Sequence, residues 1–357
     1  MKMDKNKMMT GLAQEAYKKG IFNGTWLYAE NGKIVSKGAL GFRDTDDKLP
    51  MREDSVFELA SITKQFTAAA VMLLVREGSL GLDDEVTKFY PQIPYSKVTI
   101  RHLLTHTGGV CETYDDNLIM TVYRKEKRIP GSGIVIRFLA EAGGKPRFAP
   151  GEKFEYSNGG YNLLAEIMSK VSGVPFEEYL RKNIFEPADM FRTGIYHICS
   201  TGVPHDNFVR NMVLRDGRYV PVADSDDRDV AAFDGLNGDD YVYTDIFDMF
   251  LWDQALREEK VLTRKEQRIM YTPGKLRNGG NAGTHDDVDG YGFGWEIRND
   301  PGLGLIVRHS GGMPGLHTWF ERFVDADRVL VLLNCREAAK EEAFSSFQDS
   351  MRIIAKD

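Results

Sequence analysis

Ser61-Ile62-Thr63-Lys64 puts a hydroxyl and an amine one helical turn apart on the same face. The run that follows, Gln65 to Val75, is apolar on nearly every face, as in a helix inside a protein, and Gly78 marks its end. Ser61 therefore falls at or just inside the N-terminus of a buried helix, where unpaired backbone N–H groups gather. Desolvation disfavours the ammonium form of a lysine, so Lys64 can accept the Ser61 proton and turn the hydroxyl into a nucleophile. Taken alone, the pair also fits a capping serine followed by a surface lysine.

Two further segments supply what the pair lacks. Phe154-Glu155-Tyr156-Ser157-Asn158-Gly159-Gly160 opens the helical pattern Tyr161 to Met168. In an extended approach to that helix, Tyr156 and Asn158 project to one side. A phenolate is a competent base where cations lie close, and an asparagine amide both donates to and accepts from an acyl substrate. Ile306 to Gly315 reads as a buried strand, with His309-Ser310-Gly311-Gly312 forming a glycine-rich edge that a substrate backbone can approach closely. Each segment has an ordinary alternative: a core tyrosine, a capping asparagine, a buried strand histidine, a glycine turn.

The ordered trio Ser61–Lys64, Tyr156–Asn158 and His309-Ser310-Gly311 resembles the S-x-x-K, Y-x-N and K-T-G (or H-x-G) motifs of the serine β-lactamase and penicillin-binding-protein superfamily. Its tyrosine points to the class C-like branch, with D-alanyl-D-alanine carboxypeptidases, D-aminopeptidases and related esterases. Arg101 to Gly109, Asn237 to Thr244 and Tyr291-Gly292-Phe293-Gly294-Trp295 are similar to further segments of that family, and the resemblance spans roughly residues 22 to 335. It implies Ser61 as nucleophile and Lys64 with Tyr156 as base. It also implies the backbone N–H groups of Ser61 and Gly312 as oxyanion hole, Asn158 as the holder of the acyl side, and Ser310 as orienter or proton relay. His309 stands where β-lactamases carry lysine, a permanent cation for substrate carboxylates; a histidine is mostly neutral near pH 7. Arg308 is sent to the opposite face of the strand.

Composition agrees with a globular enzyme. The chain has 357 residues, 42% of them hydrophobic and 28% charged, enough for one large fold or two lobes. A formal net charge of −7 with no basic stripe argues against nucleic-acid and anionic-membrane partners. No segment approaches the ~20 apolar residues of a membrane span. Residues 1–10 carry charge with no apolar core after them and do not read as a signal peptide. Cys111, Cys199 and Cys335 are an odd, sparse set without metal-ligand spacing, so a reduced, cytoplasmic home and no cofactor or metal are expected. His102 and His106, four residues apart without a zinc-protease pattern, are expected to be structural.

Asn31-Gly32 joins two short alternating segments and signals a hairpin. Strands return at Gly292–Ile297, Leu303–His309, Leu316–Phe323 and Arg328–Asn334, and an amphipathic helix from about Glu337 to Ile354 ends the chain. The middle reads as mostly helical, with a hairpin near Asp216-Gly217. The expected fold is therefore α+β: a mainly antiparallel sheet flanked by terminal helices, built from residues 1–60 and 240–357, with residues 61–239 inserted as a helical lobe. The active-site cleft would lie between the two. The expected activity is acyl transfer to water, on small esters or on amides and peptides. A weak β-lactamase or D,D-carboxypeptidase is the alternative within the same chemistry, and a penicillin-binding sensor that acylates without turnover is the alternative outside it.

Overall fold

The structure is a computed structural model that describes residues 4–44, 48–114, 117–141, 146–202, 207–337 and 341–357. Strand β1 (Gly24–Glu30) turns into β2 (Lys33–Leu40) through Asn31 and Gly32, at φ 50° and 68°, the left-handed pair that matches the twist of a two-residue hairpin. Short strands β3 (Phe57–Glu58), β4 (Gly194–Ile195), β5 (Met212–Arg215), β6 (Arg218–Pro221) and β7 (Val242–Thr244) follow. The chain then returns with β8 (Gly290–Tyr291), β9 (Glu296–Asp300), β10 (Gly304–Met313), β11 (Leu316–Phe323) and β12 (Arg328–Asn334). Seven strands make one antiparallel sheet in the order β2-β1-β12-β11-β10-β9-β8.

Both faces of this sheet are covered. On β1 and β12, Trp26, Leu330 and Leu332 point to one core, closed by Met9 and Phe347 from the terminal helices Lys5–Lys18 and Glu341–Lys356. Leu27, Val329, Val331 and Leu333 alternate to the other face and join the larger core around helix Thr63–Arg76. The last helix, expected from about Glu337 to Ile354, is described from Glu341 to Lys356; Glu337 lies before it, its N–H donating to the Met212 carbonyl at 2.9 Å, and residues 338–340 lie outside the described residues.

The region between the sheet-forming segments is helical but not wholly so. It holds β5 and β6, paired Met212 to Pro221, and it contributes β4 to a three-stranded sheet ordered β3-β7-β4. Its helices include Asn117–Glu126. The strand expected from Gly292 begins only at Glu296, because the preceding glycines pack too tightly for a pleated ladder. A Cβ on Gly292 would lie 2.1 Å from the Met270 carbonyl, and Gly294 has φ +78°.

One register detail creates the site. β10 pairs with β9 only from Gly304 to Arg308, and beyond that its residues His309 to Met313 pair with β11 alone. The free edge so left faces the turn that carries Ser61.

Candidate active site

The chain enters this turn through a strained residue. Ala60 has φ +50°, a left-handed conformation that costs a non-glycine residue about 1 kcal/mol or more. Its surroundings hold it there: Leu59 N donates to the Val242 carbonyl at 2.8 Å, and the Thr318 hydroxyl donates to the Leu59 carbonyl at 2.7 Å. Residues Ala60–Ile62 make a single 3-10 turn, and the α-helix begins at Thr63, so Ser61 sits one step before the helix proper. Val242 N donates to the Thr63 hydroxyl at 3.2 Å and pins the junction from the β7 side.

Lys64 is fully buried, and its ammonium nitrogen meets three oxygens: Ser61 Oγ at 2.9 Å, Asn158 Oδ1 at 2.7 Å and the Asp239 carbonyl at 3.1 Å. Burial pushes its pKa below the usual lysine value, with Asp239, Asp240 and Glu112 acting in the opposite direction. Tyr156 faces the same nitrogen, its ring centroid 4.9 Å from Nζ, and its phenol lies close enough to Ser61 for the hydroxyl to act on its pKa. The residue is 38% exposed, yet protein surrounds the phenol closely enough to raise its pKa well above 10. Desolvation is the main cause, and the carboxylates of Asp239, Asp240 and Glu112 add to it while the Ser61 hydroxyl opposes it. A neutral phenol and an amine with a depressed pKa therefore flank one hydroxyl, to which the amine is hydrogen-bonded.

Asn158 reaches Lys64 by a route slightly different from the expected extended approach. Ser157 is the helix cap, its hydroxyl accepting from Gly160 N at 3.2 Å, and Asn158 is the first residue of the helix Asn158–Ser172. The Asn158 backbone N–H donates to Glu112 Oε2 at 2.9 Å, which fixes the rotation of that first turn.

His309 lies across the cleft on the free edge of β10, its ring 6.3 Å from that of Tyr156. Its Nδ1 is 2.6 Å from the Ser310 carbonyl and its Nε2 is 2.9 Å from the Tyr291 hydroxyl. A carbonyl only accepts, so Nδ1 carries the proton and Nε2 accepts from Tyr291. Desolvation, helped by the nearby Lys64, pulls the imidazole pKa down to about 4 against the opposing pull of Glu296. Arg308 points the other way, bound to Asp287 at 2.6 Å and Glu296 at 3.0 Å.

The two glycines of the edge have different reasons to be there. A Cβ on Gly311 would lie 2.1 Å from the Leu59 carbonyl and 2.2 Å from Thr318 Oγ1, so β10 meets the nucleophile turn backbone to backbone. A Cβ on Gly312 would meet nothing within 4 Å, and the residue is exposed. Ser310 is exposed and lines a separate hollow with Trp319 and Phe344, so the structure does not gather its side chain with Ser61, Lys64 and Tyr156.

Supporting residues surround this set, among them the two histidines expected to be structural. His106, at φ +55°, lies 4.2 Å from the Tyr156 ring and touches Tyr161 and Tyr291 as well. Its Nδ1 accepts the Ser157 N–H at 3.1 Å, and burial pulls its pKa well below 6.5. His102 instead caps the helix Ile100–Leu104, its Nδ1 accepting from Thr99 N at 3.1 Å. Asp239, which gives Lys64 its carbonyl, accepts Asn162 Nδ2 on its carboxylate. Among the described residues, no group of acidic, histidine and cysteine side chains is placed to hold a metal ion, and no helix is long and apolar enough to cross a membrane.

A sheet with covered faces, a lysine-bound serine at the head of a buried helix and a free strand edge opposite define a β-lactamase-type serine hydrolase. The Beta-lactamase family profile matches residues 9–344, and the chain belongs to that family. Penicillin-binding protein 4* of Bacillus subtilis (strain 168) is 34% identical over 344 residues, 96% of this chain and 74% of that protein. The octameric penicillin-binding protein homologue from Pyrococcus abyssi superposes with a TM-score of 0.80 at 26% identity, over 99% of this chain and 77% of its own. D-amino acid amidase from Ochrobactrum anthropi SV3 shares the fold, with a TM-score of 0.78 at 21% identity over 99% and 97% of the two chains.

Proposed function

We propose that this chain hydrolyses small esters, or amides and peptides, through an acyl-enzyme on Ser61. The observation that carries the reading is the environment of Lys64 Nζ. Asn158 Oδ1 and the Asp239 carbonyl can only accept, so they take two N–H groups. In the neutral amine that burial favours, the remaining lone pair points at Ser61 Oγ and receives its proton. Ser61 then attacks the substrate carbonyl, and the developing oxyanion is met by the backbone N–H groups of Ser61 and Gly312. Donors of this kind contribute about 3–4 kcal/mol each. Tyr156, a neutral phenol in contact with Ser61, passes the proton from Lys64 to the leaving group. For deacylation the relay runs backwards, drawing a proton from water as the serine departs.

Asn158 orients the acyl group while holding Lys64, and His309 with Gly311 and Gly312 forms the opposite wall. Ser310, exposed on the same edge, remains available to a substrate that extends past the wall. The neutral His309 and the turned-away Arg308 favour uncharged esters and amides over substrates held by a carboxylate. A weak β-lactamase or D,D-carboxypeptidase uses the same machinery, and the similarity to penicillin-binding protein 4* favours it as the second reading. The D-amino acid amidase fold likeness is compatible with amide substrates. Steady release of nitrophenol from p-nitrophenyl acetate, lost in Ser61→Ala, is the expected result. Undiminished release in that variant would contradict it.

A further inference from the structure

The free edge of β10 has two ends with different neighbours. His309 begins it beside Tyr156, the group that hands a proton to the leaving group, so this end serves the leaving group. Gly312 follows at the oxyanion. Met313, about 13 Å along the strand from His309 at ~3.3 Å per residue, then joins Pro314 in the wall of a cavity of about 430 Å³. That volume lies within the range of about 300–1,000 Å³ usual for small-molecule sites. The cavity thus continues the edge on the side of the reacting carbonyl away from the leaving group, where the acyl chain lies.

The lining is also tied to the nucleophile turn. Tyr241 and Tyr243 belong to it, and Val242 between them accepts the Leu59 N–H at 2.8 Å and donates to the Thr63 hydroxyl at 3.2 Å. Tyr241 is held at φ +74°, a costly conformation for an aromatic residue and one that clusters at functional sites. Val209 and Ala231 add apolar surface. The acids of the wall are occupied within the protein. Glu58 accepts from Asn211 Nδ2 at 2.8 Å and is engaged with Tyr243 and Asp240, and Asp234 accepts from the Ser200 N–H and hydroxyl, both at 3.2 Å. Arg210 lines the cavity but is exposed, where water screens its charge. What the cavity offers a ligand is therefore mainly apolar surface, with no buried cation to hold a carboxylate.

We propose that this cavity receives the acyl chain of the substrate and selects medium-length, apolar, uncharged acyl groups over acetyl. The assignment rests on the Ser61 acyl-enzyme reading and names the class of substrate it acts on. Each methylene moved from water into an apolar site is worth about fourfold in kcat/KM, provided the chain is held in the transition state as well.

The test measures kcat/KM for p-nitrophenyl acetate, butyrate and hexanoate and for the mono-p-nitrophenyl ester of adipic acid, a six-carbon chain ending in a carboxylate. Each value is divided by that ester's spontaneous hydrolysis rate. The corrected value is expected to rise by about fourfold per methylene from acetate to hexanoate, and to fall by about tenfold or more from hexanoate to the adipate ester. In Ala231→Trp, whose indole fills the cavity, the ratio of hexanoate to acetate should drop toward one. A flat series in the wild-type enzyme, or an adipate ester as good as hexanoate, overturns the subsite and leaves the acyl-enzyme reading standing as long as turnover depends on Ser61. A ratio unchanged in Ala231→Trp puts the chain elsewhere and overturns it as well. Absence of Ser61-dependent turnover with every ester overturns both. If Ala231→Trp does not fold, the wild-type series and the adipate comparison decide the matter alone.

Discussion

The imidazole of His106 lies against the phenol ring of Tyr156, centroids 4.2 Å apart and planes tilted by 31°. The same imidazole accepts the Ser157 N–H, so one neutral side chain sets both the tilt of Tyr156 and the path of the backbone into Asn158. An aromatic pair of this kind contributes about 1 kcal/mol beyond burial. His106→Leu should therefore lower kcat about tenfold with little change in KM, measured well below its unfolding temperature. An unchanged kcat would mean that Tyr161 and Tyr291 suffice to hold the phenol.

Lys64→Ala and Tyr156→Phe should each slow acylation by at least ~100-fold, because each removes a member of one proton relay. The depressed pKa of Lys64 sets the direction of the pH profile: the protonated amine is inactive, so kcat/KM should rise with pH through a value below 10.5. A profile that falls over that limb would assign the base elsewhere.

His309→Lys should raise the ratio of kcat/KM for a carboxylate-bearing ester over its neutral counterpart, since it puts a cation where the wild-type group is neutral. Arg308 cannot mask the effect, because it is committed to Asp287 and Glu296 on the other face. An unchanged ratio would remove the carboxylate argument from the account of specificity.

His309 should also leave a mark on stability. Its folded pKa of about 4 lies below the unfolded value near 6.5, so the unfolded chain binds the extra proton between those limits. The contribution is complete above pH 6.5 and is lost as pH falls toward 4, amounting to roughly 3 kcal/mol. Glu58 and Asp239, raised to about 7 and about 6 by burial, work in the opposite sense as pH rises. The effect is thus read as the difference between wild type and His309→Gln in denaturant titrations at pH 4.5 and 7.5. Parallel pH dependences would contradict it.

Gly311→Ala and Gly312→Ala make a contrasting pair. The first drives a methyl group into the Leu59 carbonyl and should destabilise by about 2–3 kcal/mol or more, while the second meets open space and should fold normally. Equal unfolding temperatures would mean that β10 does not press on the nucleophile turn.

Much of this was legible because it is local. Strands Leu316–Phe323 and Arg328–Asn334 start and stop where their hydrophobic runs do, and Asn31-Gly32 fixes its hairpin by backbone preference alone. The motif residues Ser61, Lys64, Tyr156, Asn158 and His309 converge around one cleft. What stayed hidden depends on contacts between distant segments. The left-handed turn at Ala60 is imposed by Thr318 and Val242, the third acceptor of Lys64 is a backbone carbonyl, and the small sheet β3-β7-β4 joins strands of two or three residues with no periodicity to read. Lys64 itself shows the limit: its spacing from Ser61 and the apolar run after it are plain in the sequence, but its bonds to Asn158 and Asp239 join distant segments.

The most direct measurement is rapid-quench intact-mass analysis with p-nitrophenyl acetate, followed by peptide mapping. The account predicts one acetyl group on Ser61 within the first turnover, persisting longer in Tyr156→Phe, and no adduct in Ser61→Ala. An adduct on another residue, or turnover in Ser61→Ala at the wild-type rate, would contradict it.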